Sequence, residues 1–445
     1  MRRKFERIAT SLALILVVAV GLRVTMTQDY VRQRPKQALA VIPFLFESGN
    51  IAYSLARGRG FASPLRVFTG PTAWMTPVYP FLLAGVLRLF GTYTFRSFMG
   101  AVALNIFFSA LACVPLFYAG KRIGGARLGA LAAWLWAVFP NANLLTFQSL
   151  WDASLDAFLG AAILWATLVL AANPRRERDW CGYGLLWGLT LMTNPVFAIL
   201  LPFLLGWISY RHWKRGFPWA RQVALTGLFV ILCCLPWTVR NYEVFHALVP
   251  LRSVMGLQLW LGNNAETTPL FLGRRHPIFD SAEREKYTEM GEIAYMREKR
   301  YLALEYMAGN PRRVAELSAR RFLAVWSGGT AYPVRDFFDN PDLWFRYVLL
   351  FNLFAAMGVL AGIVALWQSH SAYTFPLAVA PVVFPLPYYL SLVEPRYRLP
   401  IDPIVLLLLA VALHALLGGF RAATSPSLEE QADIVSIDTK SMPTS

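Results

Sequence analysis

The chain alternates long apolar runs with short polar breaks rich in arginine. Several runs approach or exceed the ~18–20 residues that a helix needs to cross a bilayer. Runs at about 8–24, 97–119, 126–139, 154–172, 222–239, 343–367, 371–391 and 401–420 each read as one span. Residues 182–210 read as a tight hairpin of two short helices, broken at the TNP of 193–195. The pattern predicts an all-α polytopic membrane protein with about ten transmembrane helices. The segment PVYPFLLAGVLRLFG (77–91) is apolar but short, and Arg88 interrupts it. It is read as a helix lying at or dipping into the outer face, which keeps the basic loop GKRIGGAR (120–127) inside.

Arginine and lysine placement orients the bundle, because short cytoplasmic loops carry the excess of positive charge. Arg2, Arg3, Lys4 and Arg7 put the N-terminus in the cytoplasm, as do NPRRERD (173–179) and RHWKRGFPWAR (211–221) for their loops. The first run resembles a signal peptide without a clear small-residue cleavage site and is read as a retained anchor. Two regions then face outward, residues 25–96 and 240–342. In the second, 280–308 and 311–326 look helical and amphipathic, separated by GNP. Residues 1–420 form the membrane domain. The polar tail 421–445 reads as disordered and cytoplasmic.

Composition agrees with this picture. Of 445 residues, 56% are hydrophobic and 15% charged, against about 25% charged in soluble domains. The net charge of +16 sits between apolar runs, which fits membrane lipids and lipid phosphates better than nucleic acid. Cys113, Cys181, Cys233 and Cys234 suggest no disulfide framework, and the five histidines are scattered. No metal set or cofactor motif is read.

With this topology the notable polar residues converge on the outer side. Glu47 and Asn50 lie in the first external loop, which continues through Arg57 and Arg59. Asp152 and Asp156, in SLWDASLDAF, are spaced i, i+4 and share one helix face. Arg240 and Asn241 begin the long external region, which also carries Asn263. Glu394, Arg396, Tyr397 and Arg398 lie in VEPRYRLPIDP, between the last two spans. Each has a plainer reading. Acids at helix ends can simply face water or pair with arginine, Asp156 can serve a structural pairing, and RYR can be an interfacial anchor. Arg57 and Arg59 can hold an anionic head group or merely anchor their loop.

The residues resemble a family. The first-loop acid is followed by SLARGRGFASP, GPTAWMTPVYPFLLAGVLRLFG and the GKRIGG loop. Then come a Pro140-x(11)-Asp152 spacing, LTLMTNP, LPWTVRNYEVFHALVPLRSVMGLQLWLGNN and EPRYRLPIDP. In order and spacing these resemble membrane glycosyltransferases of the GT-C fold. The similar branch is glycosyltransferase family 39, the protein-mannosyltransferase-like group with the aminoarabinose transferases and RgtA/B/C/D-like proteins. The resemblance covers about residues 8–420 and implies a GT-C-like bundle with interfacial helices in its external loops. It implies an enzyme of the cell (inner or plasma) membrane whose active site faces the periplasm or outside. Its donor would be a polyprenyl-phosphate sugar, and its acceptor a lipid, glycan or protein hydroxyl. Glu47 matches the family's catalytic base, where an Asp or an acidic pair is common, and Asp152 matches the second-loop acid. No cofactor is implied for this branch, although the broader fold includes metal-dependent members.

The chemistry suits the residue types. A sugar on a lipid phosphate is already activated, so a carboxylate can take the acceptor's proton as its oxygen attacks the anomeric carbon. Arginines can stabilise the departing phosphate, for which Arg396, Arg398, Arg240, Arg57 and Arg59 are candidates, with Tyr397 beside them. Asp156, Asn50 and Asn263 are candidate contacts to sugar or acceptor. Two other readings share these features: a transporter or flippase of lipid-linked sugars, and a non-catalytic lipid-carrier-binding member of the same fold. A transporter would place its charges near mid-membrane between inverted repeats, and no repeat is visible here.

Overall fold

The computed structural model describes residues 10–148, 150–172, 176–270 and 273–418. The basic N-terminal residues 2–7 and the tail 421–445 lie outside these, so the readings made on them do too. The regular structure among the described residues is all helical, apart from one isolated bridge between Ala62 and Pro71. In chain order the helices are α1 (Leu12–Arg32), α2 (Lys36–Val41), α3 (Glu47–Ala56), α4 (Val78–Phe90) and α5 (Phe95–Leu111). Next are α6 (Cys113–Val138), α7 (Pro140–Leu144), α8 (Ala153–Leu170), α9 (Glu177–Leu191), α10 (Leu201–Lys214) and α11 (Ala220–Phe245). The long polar region holds α12 (Met255–Gly262), α13 (Ser281–Met290), α14 (Glu292–Gly309), α15 (Pro311–Ser327) and α16 (Pro333–Asp339). The last are α17 (Leu343–Gln368), α18 (Thr374–Val383), α19 (Leu386–Leu390) and α20 (Asp402–Leu416).

Seven helical lengths among the described residues are long and apolar enough to cross a membrane, or eight if the bent pair Lys36–Phe44 and Glu47–Ala56 counts as one. That figure and the expected ten differ for concrete reasons. One of the seven, Phe95–Val138, is 44 residues long and folds back on itself. Gly124 and Gly125 leave helical geometry, Gly125 with φ +86°. A Cβ on Gly120 would lie 2.7 Å from Gly129 Cα, and one on Gly129 2.3 Å from Phe117 O. The two backbones therefore touch across the turn, and GKRIGGAR is the tip of a helix hairpin, with arms on either side as the sequence pattern suggests. Helix α9, with 15 residues, and the pair α18–α19, Thr374–Leu390, fall short of the ~18–20 residues of a full span. Gly129→Val is expected to destabilise the protein, because backbone atoms on the opposite arm cannot yield. Thermal unfolding in detergent checks this, and a melting temperature equal to wild type would refute the close-approach argument.

Helix α4 has 13 residues, about 20 Å at 1.5 Å per residue, against a hydrocarbon core of about 30 Å. Helix α1 runs to Arg32, well past the expected end near residue 24. Arg23 falls within this helix, where a charge facing lipid would be costly. It is instead fully buried, donating from Nε to Ser109 Oγ at 2.9 Å and from Nη1 to Ala19 O and Ala137 O. The bundle centres on α20, where residues 402–412 are all buried. It packs against α17, α6, α8 and α18.

The polar region folds over one end of the bundle. Residues 72–78 of the first loop are tied both to it and to the bundle: Ser253 N donates to Ala73 O at 2.8 Å, and Thr76 Oγ1 donates to Thr193 O of the bundle at 2.6 Å. Glu292 is the knot. Its two carboxylate oxygens accept from Thr72 Oγ1 (2.5 Å), Tyr287 OH (2.8 Å), Ala73 N (2.8 Å) and Ser253 Oγ (2.7 Å).

Candidate active site

Between this cap and the bundle lies a cavity of about 320 Å³. Four parts of the chain bring charge to it. Helix α3 begins at Glu47, where a carboxylate meets the positive end of the helix dipole. The preceding helical stretch meets α3 at 95°, and a Cβ on Gly49 would strike Phe44 O at 2.2 Å. Only glycine allows that sharp entry, and it turns Glu47 inward. Asp152 is the N-cap of α8 and Asp156 lies in its first turn. Both line the cavity, as i, i+4 geometry dictates. Arg252 and His276 come from the long polar region, and Glu394, Arg396 and Tyr397 from the segment before α20.

Glu47 is 8% exposed. Its Oε1 lies 3.2 Å from His276 Nε2, while its Oε2 is buried without a hydrogen-bond partner among the described residues. Burial pushes this carboxyl up, but the hydrogen bond from His276, together with a backbone hydrogen bond and the charge of Arg396, outweighs it, and the net position is below the ordinary glutamate range. Asp152 goes the other way. Burial raises it, and the nearby Arg396 and Arg252 only partly offset that. The site thus holds one carboxyl, Glu47, more firmly ionised beside another, Asp152, that is more easily protonated. Asp156 accepts from Asn194 Nδ2 at 2.8 Å, and its Oδ1 has no partner among the described residues. Asn194 belongs to the TNP break, so that break supplies a ligand for the acid.

The basic groups divide sharply. Arg396 is committed: it donates from Nε to Glu394 Oε2 at 2.7 Å, and its guanidinium lies 3.5 Å from the Trp151 ring centroid. Tyr397 stacks on Tyr388 at 4.7 Å. Arg252 lines the cavity and acts electrostatically on Asp152 and Asp156, yet it has no hydrogen bond or ion pair with any described residue. Phe46, Trp74, Trp151 and Phe279 complete the wall with aromatic faces.

Several expected ligands lie elsewhere and serve the fold. Arg398 is buried between helices, donating from Nε to Asp402 Oδ1 at 2.5 Å, from Nη1 to Val325 O and Trp326 O, and from Nη2 to Asn352 Oδ1. It does not reach the cavity, so its assignment as a phosphate ligand is corrected. Arg240 spends its guanidinium on Thr72 O (2.7 Å), Phe61 O (2.9 Å) and Asn241 Oδ1 (2.9 Å), tethering the first loop. Arg57 and Arg59 are exposed at the end of α3 and do not line the cavity. Asn50 donates to Leu45 O and Pro64 O, and Asn263 to Leu259 O and Leu390 O. Both amides hold turns rather than facing the cavity. Arg398→Met is expected to leave Asp402 buried and unpaired, costing about 3–5 kcal/mol. A melting temperature in detergent close to wild type would refute this structural role.

Arg252 and His276 escaped sequence reasoning. Arg252 sat inside the quoted PLRSVM stretch, where an arginine at an expected outer face was itself a signal. His276 had no such signal, since nothing local distinguishes it from the other histidines. Among the described residues no group of three or more His, Cys, Asp or Glu is arranged to hold a metal ion.

Residues 74–239 match the family described as dolichyl-phosphate-mannose-protein mannosyltransferase. No curated protein sequence matches the chain. Among solved structures, the chain is similar to the archaeal oligosaccharyltransferase AglB from Archaeoglobus fulgidus, solved in complex with an inhibitory peptide and a dolichol-phosphate. The TM-score is 0.53 at 14% identity, covering 97% of this chain and 54% of that one. The apo form of the Archaeoglobus fulgidus oligosaccharyltransferase gives 0.54 at 14% identity, covering 97% and 55%. The chain therefore spans about half the length of these enzymes, and at this identity the likeness is one of fold. The chain is thus similar in fold to these enzymes and, over residues 74–239, in sequence to this mannosyltransferase family.

Proposed function

We propose that the protein transfers a sugar from a polyprenyl-phosphate donor to an acceptor hydroxyl at this cavity. The observation that carries the proposal is the pairing of an unpartnered carboxylate oxygen, Glu47 Oε2, with an uncommitted guanidinium, Arg252, in one cavity. A glycosyl transfer needs those two groups. The acceptor oxygen attacks the anomeric carbon, the bond from that carbon to the phosphate oxygen breaks, and the phosphate keeps the electron pair. The acceptor's proton goes to Glu47, and Arg252 meets the charge that develops on the phosphate.

This moves the phosphate role from the RYR arginines to Arg252. Arg396 keeps a supporting one, pinning Glu394 and Trp151 while contributing positive charge near Glu47 and Asp152. Asp152 and Asp156 are suited to hydroxyls of the sugar, and the aromatic wall to its apolar faces. The exposed apolar surfaces of α11 and α17 offer a path for the polyprenyl tail. The family and fold likenesses support the reading, since the matched family is described by a dolichyl-phosphate sugar and the similar structure was solved with dolichol-phosphate. In this reading the cavity faces the periplasm or outside.

The test is incubation of purified protein with polyprenyl-phosphate sugars, dolichyl-phosphate mannose first, with a glycan or peptide acceptor mixture. Loss of lipid-linked sugar with release of polyprenyl phosphate is the expected result. Translocation of intact donor across proteoliposomes without its cleavage would replace this reading with a transporter.

A further inference from the structure

We propose that His276 is a positioning residue that fixes the ionised form of Glu47 and leaves Oε2 as the atom that accepts the proton. The inference rests on the reading of Glu47 as base and adds a residue to it. Two hydrogen bonds define the imidazole. Ile278 N donates to His276 Nδ1 at 3.2 Å, so that nitrogen must present its lone pair. The ring proton then sits on Nε2, 3.2 Å from Glu47 Oε1, and donates to it. The ring is held in place by Trp74, edge-on at 5.8 Å, and by Phe279 at 6.1 Å.

The consequence is directional. With Oε1 taken by the imidazole N–H, the carboxylate has one oxygen left, and Oε2 is the atom without a partner. Because Nδ1 is engaged by a backbone donor, the ring's proton lies on Nε2 and faces Oε1. His276 acts as a fixed donor rather than a relay. Other groups share the cavity with Glu47. From α8 come Asp152 and Asp156, from the polar region Arg252, and from the end of the chain Tyr388, Glu394, Arg396 and Tyr397. Of these, Arg396 also favours the ionised form of Glu47, so removing His276 removes part of the stabilisation, not all of it.

The sign follows. Loss of the donor raises the pH at which Glu47 ionises, and the acid side of any activity that needs the carboxylate moves up with it. An infrared titration of the full-length protein in detergent reads this without knowledge of the true substrate. The carboxylic acid band of Glu47 is identified by its absence in Glu47→Gln. In His276→Ala that band should persist to higher pH than in wild type. In His276→Gln, whose side-chain amide can donate but does not titrate, it should lie close to wild type. Turnover with dolichyl-phosphate mannose should show the same order, with kcat in His276→Ala reduced roughly tenfold, the scale of one hydrogen bond to a charged group.

An unchanged Glu47 band in His276→Ala would overturn the inference. So would a His276→Gln variant as inactive as Glu47→Gln, since a relay and not a fixed donor would then be at work. If His276→Ala does not fold, the His276→Gln comparison stands alone. Failure of the underlying reading looks different. Glu47→Gln would then turn over like wild type while the band shift persisted, leaving the pairing real and its catalytic meaning overturned.

Discussion

Glu47→Gln should lower kcat for glycosyl transfer by at least ~100-fold, the low end of what a positioned general base contributes. The substitution keeps the size of the side chain and can keep a contact to His276, but its Oε2 position no longer carries a base. Donor binding should survive, because the groups suited to the lipid phosphate and the sugar are on other elements. The check is single-turnover kinetics beside a binding measurement on the same preparation. Equal kcat in variant and wild type would move the base to Asp152. Loss of donor binding together with activity would point to a structural role for Glu47 at the start of its helix.

Arg252→Gln should act on the opposite side of the reaction. A hydrogen bond to a charged group contributes about 1.5–3 kcal/mol, so kcat/KM should fall roughly 10- to 150-fold at 1.4 kcal/mol per tenfold. Part of that loss should appear as weaker donor binding, since the donor phosphate is charged before the bond breaks. Arg252→Lys should recover only part of the effect, because a point charge does not reproduce the planar fork of guanidinium on phosphate oxygens. Arg396→Gln is the informative contrast. It frees Glu394 and unseats Trp151, so its effect should fall on stability and on sugar recognition as well as on catalysis. Unchanged kcat/KM in Arg252→Gln would return the phosphate role to Arg396.

The class of fold was legible because the bilayer imposes a length and a polarity on each span, and both are written in runs of residues. The acids were legible for a related reason: carboxylates beside apolar runs have few inexpensive places to be. Finer assignments failed where spacing carries no direction. Arg396 and Arg398 looked equivalent in RYR, but Arg396 lies within a tight turn, Pro395–Tyr397, and Arg398 caps its end, so they point to different environments. One meets Trp151 at the cavity and the other is committed to Asp402 inside the bundle. The continuation of α1 past residue 24 was not legible, because the sequence does not display Ser109 or the Ala137 carbonyl to which the buried Arg23 donates. His276 was invisible because its meaning depends wholly on Glu47, which is remote in sequence and adjacent in space.

That remoteness bears on how the protein is made. The cavity draws on Glu47 near the start of the chain, Arg252 and His276 in its middle, and Arg396 near its end. A chain emerging from the ribosome carries Glu47 long before Arg252, His276 and Arg396, and the cavity gains its full set of charges only once the segment ahead of the last helix has been made. The site is therefore among the last features of the molecule to be completed, and no chain truncated before that segment carries all of it.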